Sequence, residues 1–223
     1  MRFALVDNER TEARKGIKGT CQACGFQVTP VCGPIIIHHW RHDSNCNCDP
    51  WWENETKWHR NWKNNFPKDW QEKVCCDDQT GKWHFADVRT DKGVVIEFQN
   101  SPISKELIKE REQFYGEQMV WVINGIIFRD NLTSKEFWED PETINIRLSH
   151  PRIDIWRKKS RNEEFFKWKY PPKSWEGVLR PVFIDLGEDS LLWVKEGMGT
   201  KQISGVYILK EKFIDHYSAV LSK

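Results

Sequence analysis

Asp87, Glu97 and Gln99 are the residues of this chain whose types and spacing could do chemistry. They fall within WHFADVRTDKGVVIEFQNSPI, residues 83–103. Side chains alternate across a strand, so Val95, Glu97 and Gln99 would share one face while Ile96 and Phe98 occupy the other. If Asp87 and Glu97 converge with an amide beside them, the set suits a hard divalent cation such as Mg²⁺. His84 stands three residues before Asp87, on the opposite face of a regular strand.

Particular elements must position these groups. The two β-rich runs on either side of Arg89-Thr90-Asp91-Lys92-Gly93 read as a hairpin. Gln71 to Cys76 reads as an earlier strand and Asp77 to Lys82 as a turn. Farther upstream Glu55, His59 and Lys63 are spaced i, i+4, i+8, one stripe of a helix that Pro67 closes. Trp58 and Trp62 form its apolar neighbour. Ser104 is the N-cap expected for a helix over Lys105 to Tyr115. Met119 to Asn124 reads as a strand buried on both faces. Helix, strand pair, helix and strand in that order give an α/β fold, a mixed sheet flanked by helices.

The words HFADV, VVIEFQNSPIS, EREQFY and VWVING together resemble the competence protein CoiA-like family. That family is a branch of the PD-(D/E)XK nucleases with Glu-X-Gln in place of Glu-X-Lys. The resemblance implies a restriction-endonuclease-like (PD-(D/E)XK) core over residues 51–125. A strand and zinc-knuckle module (1–50) would precede it, and an α+β extension (126–223) would follow. The implied activity is metal-dependent cleavage of phosphodiester bonds in DNA, with Mg²⁺ or Mn²⁺ held by Asp87, Glu97 and Glu55. Residues 55–67, ETKWHRNWKNNFP, resemble the family's WHxxWKxxFP segment, which gives Glu55 its role and assigns His59 to the substrate phosphate or attacking water. Gln99 carries no charge, so Lys63, His59 or His84 would supply the cation that the usual lysine provides.

Cys21 and Cys24 form a Cys-x2-Cys knuckle followed by glycine, a spacing at which two thiolates can share one Zn²⁺. The partner pair is open among Cys32, His38, His39, His42, Cys46 and Cys48. The family resemblance favours His39 and His42, in the place of an HFAH-type word. Such a closed site would be structural. Seven cysteines, an odd number, without an export signal, read as thiols or metal ligands rather than disulfides. Cys75 and Cys76 would point to opposite strand faces.

A net charge of +1 with 30% charged residues excludes a global pull on nucleic acid, so any basic surface must be local. No stretch reaches the length of a membrane span and no apolar leader opens the chain, so a cytoplasmic protein is expected. In the tail, Glu136 to Trp138 and Ile155 to Trp168 read as helical. Residues 156–175 interleave basic and aromatic side chains, and Lys158, Lys159, Arg161, Lys167 and Lys169 are the candidate phosphate contacts. Val182 to Leu186 and Leu191 to Val194 read as a hairpin, and Lys210 to Leu221 as a closing helix. DNA is the expected partner, with RNA as the alternative. The rival readings are a non-catalytic zinc module that binds nucleic acid and a nuclease-fold scaffold. The scaffold would meet a protein partner or a second copy through its tryptophans.

Overall fold

Short strands dominate the described residues, and three α-helices accompany them. The computed structural model describes residues 1–43, 48–51, 53–78, 80–126, 143–145, 155–158 and 164–219. The fold is α/β and mostly sheet. The chain divides into two units, Met1–Asp91 and Lys92–Lys223.

The first unit opens with β1 (Phe3–Val6) and β2 (Glu9–Glu12), joined at Asp7-Asn8. Both turn residues have positive φ, 50° and 65°, as a two-residue type I′ hairpin requires. β3 (Gly19–Thr20), β4 (Gln27–Val31) and β5 (His39–His42) complete a five-stranded sheet in the order β2-β1-β3-β4-β5. Ala4, Ala13, Cys21, Val28 and Trp40 form its core. The Trp40 indole donates to the Thr11 carbonyl at 3.0 Å, so the polar edge of a fully buried ring is satisfied.

Helix α1 (Lys57–Lys63) follows, capped by Thr56. The His59 backbone N–H donates to the Thr56 hydroxyl, and His59 Nδ1 accepts from the Thr56 backbone N–H, a reciprocal capping box. Glu55 therefore precedes the helix rather than lying on its stripe, which corrects the helical spacing expected for it. β6 (Gln71–Cys76) and β7 (Trp83–Arg89) then pair antiparallel through the Asp77–Lys82 turn. On β7, His84, Ala86 and Val88 are buried, while Trp83, Phe85 and Asp87 share the other face.

The second unit begins with β8 (Val95–Gln99), buried throughout, and α2 (Lys105–Tyr115) capped by the Ser104 hydroxyl. Gly116, with φ 71°, ends this helix where a side chain would be strained. β9 (Met119–Asn124) is buried on both faces. Then come β10 (Thr143–Asn145), β11 (Ile155–Lys158), β12 (Glu164–Lys167), β13 (Val182–Asp185), β14 (Ser190–Glu196), β15 (Gln202–Leu209) and α3 (Lys210–Ser218). Within this unit the strands run β10-β11-β12-β15-β14-β13-β9-β8. β8, β9 and β13 are mutually parallel and the remaining neighbours antiparallel.

Within Ile155 to Trp168, expected to be helical, the described residues 155–158 and 164–167 form β11 and β12 instead. The reason lies in the period: Phe166 and Trp168 are buried while Lys167 and Lys169 are exposed, an alternation of two. The expected helix at Glu136–Trp138 lies outside the described residues. Among those residues no helix is long and apolar enough to cross a membrane.

Candidate functional site

Lys63 sits at the last turn of α1 with its side chain 4% exposed, and three carboxylates of the first unit surround it. Its Nζ lies 2.6 Å from Glu55 Oε1, 3.0 Å from Glu72 Oε1 and 3.7 Å from Asp87 Oδ1. The β6–β7 register sets Gln71 against Val88 and Lys73 against Ala86, so Glu72 stands across from Asp87. Arg60 adds a second cation, its guanidinium donating to Glu55 Oε2. Burial, the largest single influence, would raise the Glu72 pKa, but the Lys63 ammonium, the Met1 ammonium and the hydrogen bonds from Lys63 and the Arg2 N–H together outweigh it and hold the carboxyl down at about 2. Glu55 is lowered in the same way, against its own burial and chiefly by Lys63. Burial works against the Lys63 charge, yet Glu72, Asp87 and Glu55 together push its pKa above the ordinary value. Lys63, Glu55 and Glu72 are thus held charged where water scarcely reaches.

His59, expected to reach substrate, has its Nδ1 engaged in the cap of α1. His84 is 4% exposed and faces away from Asp87, as strand alternation requires. Its Nδ1 pairs with Asp49 Oδ1 at 2.8 Å, and the Trp51 ring stacks on it with centroids 3.2 Å apart. The backbone N–H groups of Phe85 and Trp51 also donate to Asp49. This constellation ties residues 49–51 to β7.

In the second unit Glu97 and Gln99 share one face of β8, toward α2. Arg111 Nη1 of that helix donates to Glu97 Oε2 at 3.2 Å. The Gln99 amide nitrogen donates to the Ser101 carbonyl at 2.9 Å. One residue along α2, Glu112 accepts from the Trp121 indole and from the backbone N–H groups of Leu179 and Arg180. It fastens residues 179–180 to the helix.

A different cluster forms in the N-terminal sheet. The ligand atoms of Cys21, Cys24, His42 and Cys48 all lie within 4.8 Å of one another. Cys21 Sγ is 3.5 Å from Cys48 Sγ, and Cys24 Sγ is 3.2 Å from His42 Nε2. The knuckle turns through Gly25, with φ 72°, whose N–H donates to the Cys21 carbonyl. Three thiols and an imidazole can hold a metal such as zinc, and four protein ligands leave no open position. Burial pushes the Cys21 and Cys48 thiols up and His42 down, so binding an ion would release thiol protons.

Cys48 takes the place expected for His39. On β5 residues 39 and 42 are three apart and face opposite sides, and His39 Nδ1 lies 2.9 Å from the Ile37 carbonyl instead. Cys46 lies outside the described residues, and Cys32 is not part of the cluster. Of the tail lysines, Lys167 and Lys169 are exposed. Lys158 ends β11, while Lys159 and Arg161 lie outside the described residues. The aromatics Phe166, Trp168 and Trp175 that alternate with the lysines are core. Sequence reading missed Glu72 as a partner of Lys63. The available signal was the pairing of 71–76 with 83–89, whose turn at 77–82 sets residue 72 across from 87.

Compared with protein-family models, curated proteins and solved structures, the chain matches none.

Proposed function

We propose that the protein is a metal-dependent nuclease that hydrolyses phosphodiester bonds of DNA, with a PD-(D/E)XK core of the CoiA-like kind. The observation that carries this reading is the buried Lys63 ammonium, gathered with Glu55, Glu72 and Asp87 next to the Asp87 carboxylate. The Glu-X-Gln word lacks the lysine that most such sites use, and Lys63 supplies a fixed positive charge beside the motif aspartate. Asp87, with a side chain 24% exposed, is the most accessible of the three carboxylates and the one suited to a divalent ion. The sequence word assigns Glu97 the same task, and the Gln99 carbonyl oxygen fits a hard cation as well. Glu97 also bears the Arg111 contact, which holds its carboxylate in one orientation. Mg²⁺ or Mn²⁺, when bound, would lower the pKa of a water and offset charge on the scissile phosphate.

The roles of the residues follow. By the sequence pattern, Asp87 and Glu97 are the residues that would hold the ion. Lys63 faces the charge that develops on the phosphoryl oxygens, in a setting where a fixed cation acts more strongly than in water. Glu55, with its own Arg60 partner, keeps Lys63 in place rather than binding metal. The Cys21/Cys24/His42/Cys48 cluster would hold zinc as a structural staple for a sheet whose core is small. Lys167 and Lys169 are the candidates for phosphate contacts in the second unit.

Incubating the protein with end-labelled single-stranded, duplex and branched DNA and with RNA, each with Mg²⁺, Mn²⁺ or EDTA, tests the reading. Metal-dependent cleavage that disappears in Asp87→Ala is expected. Salt-sensitive binding without cleavage in any condition would move the assignment to a binding module, and neither activity to a scaffold.

A further inference from the structure

We propose that Glu72 is a positioning residue of this site, which tethers the Lys63 ammonium beside Asp87 and keeps the two from closing onto each other. The inference rests on the nuclease reading and adds a residue that neither the sequence pattern nor the family resemblance assigned.

The backbone is the first observation. Glu72 has φ 46°, inside strand β6, a region that side chains other than glycine and asparagine seldom adopt. Such a conformation persists only where its surroundings over-determine it, and it concentrates at functional sites. The surroundings of Glu72 are correspondingly specific. Its Oε2 accepts the backbone N–H of Arg2 at 2.7 Å and of Phe3 at 3.4 Å. Its Oε1 takes Lys63 Nζ at 3.0 Å. Gln71, the neighbour on β6, is held separately by Arg2 and by the Phe66 carbonyl. One carboxylate oxygen therefore anchors the group to β1 while the other aims at the ammonium.

Competition for the ammonium is the second. Glu55 is shared with Arg60, so its pull on Lys63 is divided. Among the described residues Lys63 is the cation that Glu72 pairs with, and Glu72 faces it from the strand opposite Asp87. Without the Glu72 charge, Lys63 is drawn toward Asp87. Closing the 3.7 Å gap would occupy the carboxylate that the ion needs and draw the cation away from the substrate. A shift of about 1 Å in such a group can cost about 100-fold in rate.

The test is Glu72→Gln, which keeps the length of the side chain and an oxygen for the Arg2 and Phe3 N–H groups while removing the charge. In full-length protein with Mg²⁺ and a labelled DNA substrate, kcat is expected to fall at least about tenfold with KM unchanged. The solvent-protected ammonium resonance of Lys63 in a ¹⁵N–¹H spectrum should broaden away in the same variant. Glu72→Asp keeps the charge one methylene shorter, so its kcat should lie between the two. It also decides the matter if the glutamine variant does not fold, because a wild-type kcat in Glu72→Asp overturns the tether. If the wild-type protein cleaves DNA and Glu72→Gln leaves both kcat and the resonance unchanged, the tether falls and the nuclease reading stands. If the wild-type protein cleaves nothing while the resonance still disappears in Glu72→Gln, the nuclease reading falls and Glu72 remains the holder of Lys63.

Discussion

Lys63 carries its charge where almost no water reaches it, and that fact governs what substitutions around it should do. A buried ion group is costly to assemble but more costly to break, because a lone charge is then left behind. Lys63→Met preserves much of the side-chain volume and strands Glu55, Glu72 and Asp87 together. A loss of roughly 3–5 kcal/mol is expected, read as a lower urea midpoint at unchanged slope. The pH dependence has a defined sign. Glu72 titrates at about 2 in the folded chain against an ordinary 4.5, so the stability it contributes is fully present above about pH 4.5 and is lost as pH falls through about 2. That contribution is at most about 3 kcal/mol. Urea melts at pH 6 and pH 3 should differ in the wild type and differ by less in Glu72→Gln, where Glu55 and Asp49, also held low, still contribute; equal melts at both pH values in the wild type would contradict the ion group. For catalysis, Asp87→Ala and Glu97→Ala should each reduce cleavage by at least about 100-fold. DNA binding, which depends mainly on basic groups, should largely survive. Full activity in both would remove the metal site from the account.

Elements explain which of these residues are legible in the sequence. The strand and helix boundaries at 71–76, 105–115 and 119–124 can be read because their burial pattern, cap and apolar run agree locally. The Ser104 cap, whose hydroxyl accepts the Leu107 N–H, should be worth about 1 kcal/mol in a Ser104→Ala variant. Where the sequence misleads, the cause is a period that the local chain does not keep. Glu55, His59 and Lys63 look like one helical stripe, yet Thr56 caps α1 and leaves Glu55 outside it, reaching Lys63 from the preceding segment. HWRH reads as a pair of ligands, whereas β5 turns His39 away from His42 and the chain brings Cys48 back instead. The consequence is measurable by metal analysis of protein purified without added metal. Cys48→Ser should lose most bound zinc, as should Cys24→Ser, while His39→Ala keeps it. The reverse pattern for Cys48 and His39 would restore the other ligand set.

On the scale of the whole molecule, the α/β class is legible in the sequence, as are the β13–β14 hairpin and the closing helix, while β11 and β12 are not. Parallel strands buried on both faces announce themselves as apolar runs, as β9 does. Antiparallel strands such as β12 hide in mixed sequence, because FKWK reads equally as a basic helix until burial shows the alternation. That difference also changes the expectation for nucleic acid. On a helix the aromatics of 156–175 could have joined the lysines on one surface; instead Phe166 and Trp168 turn inward while Lys167 and Lys169 face water, and Tyr170, just beyond the strand, is exposed beside them. Binding through β12 would then be mainly electrostatic, with Tyr170 the described aromatic left to stack, and it should show in the salt dependence. Each duplex phosphate that a lysine no longer neutralises lowers the slope of log K against log salt by about 0.9. Lys167→Glu together with Lys169→Glu should therefore flatten the slope by up to about 1.8 and weaken binding most at low salt. Replacing the buried Phe166 or Trp168 with Ala should instead destabilise the fold by roughly 3–5 kcal/mol and leave the slope of the surviving folded protein unchanged. Fluorescence anisotropy with a labelled duplex across a salt series separates the two. An unchanged slope in the folded double-lysine variant would assign Lys167 and Lys169 to ordinary solvated surface, and the phosphate-binding groups would have to be sought on another face.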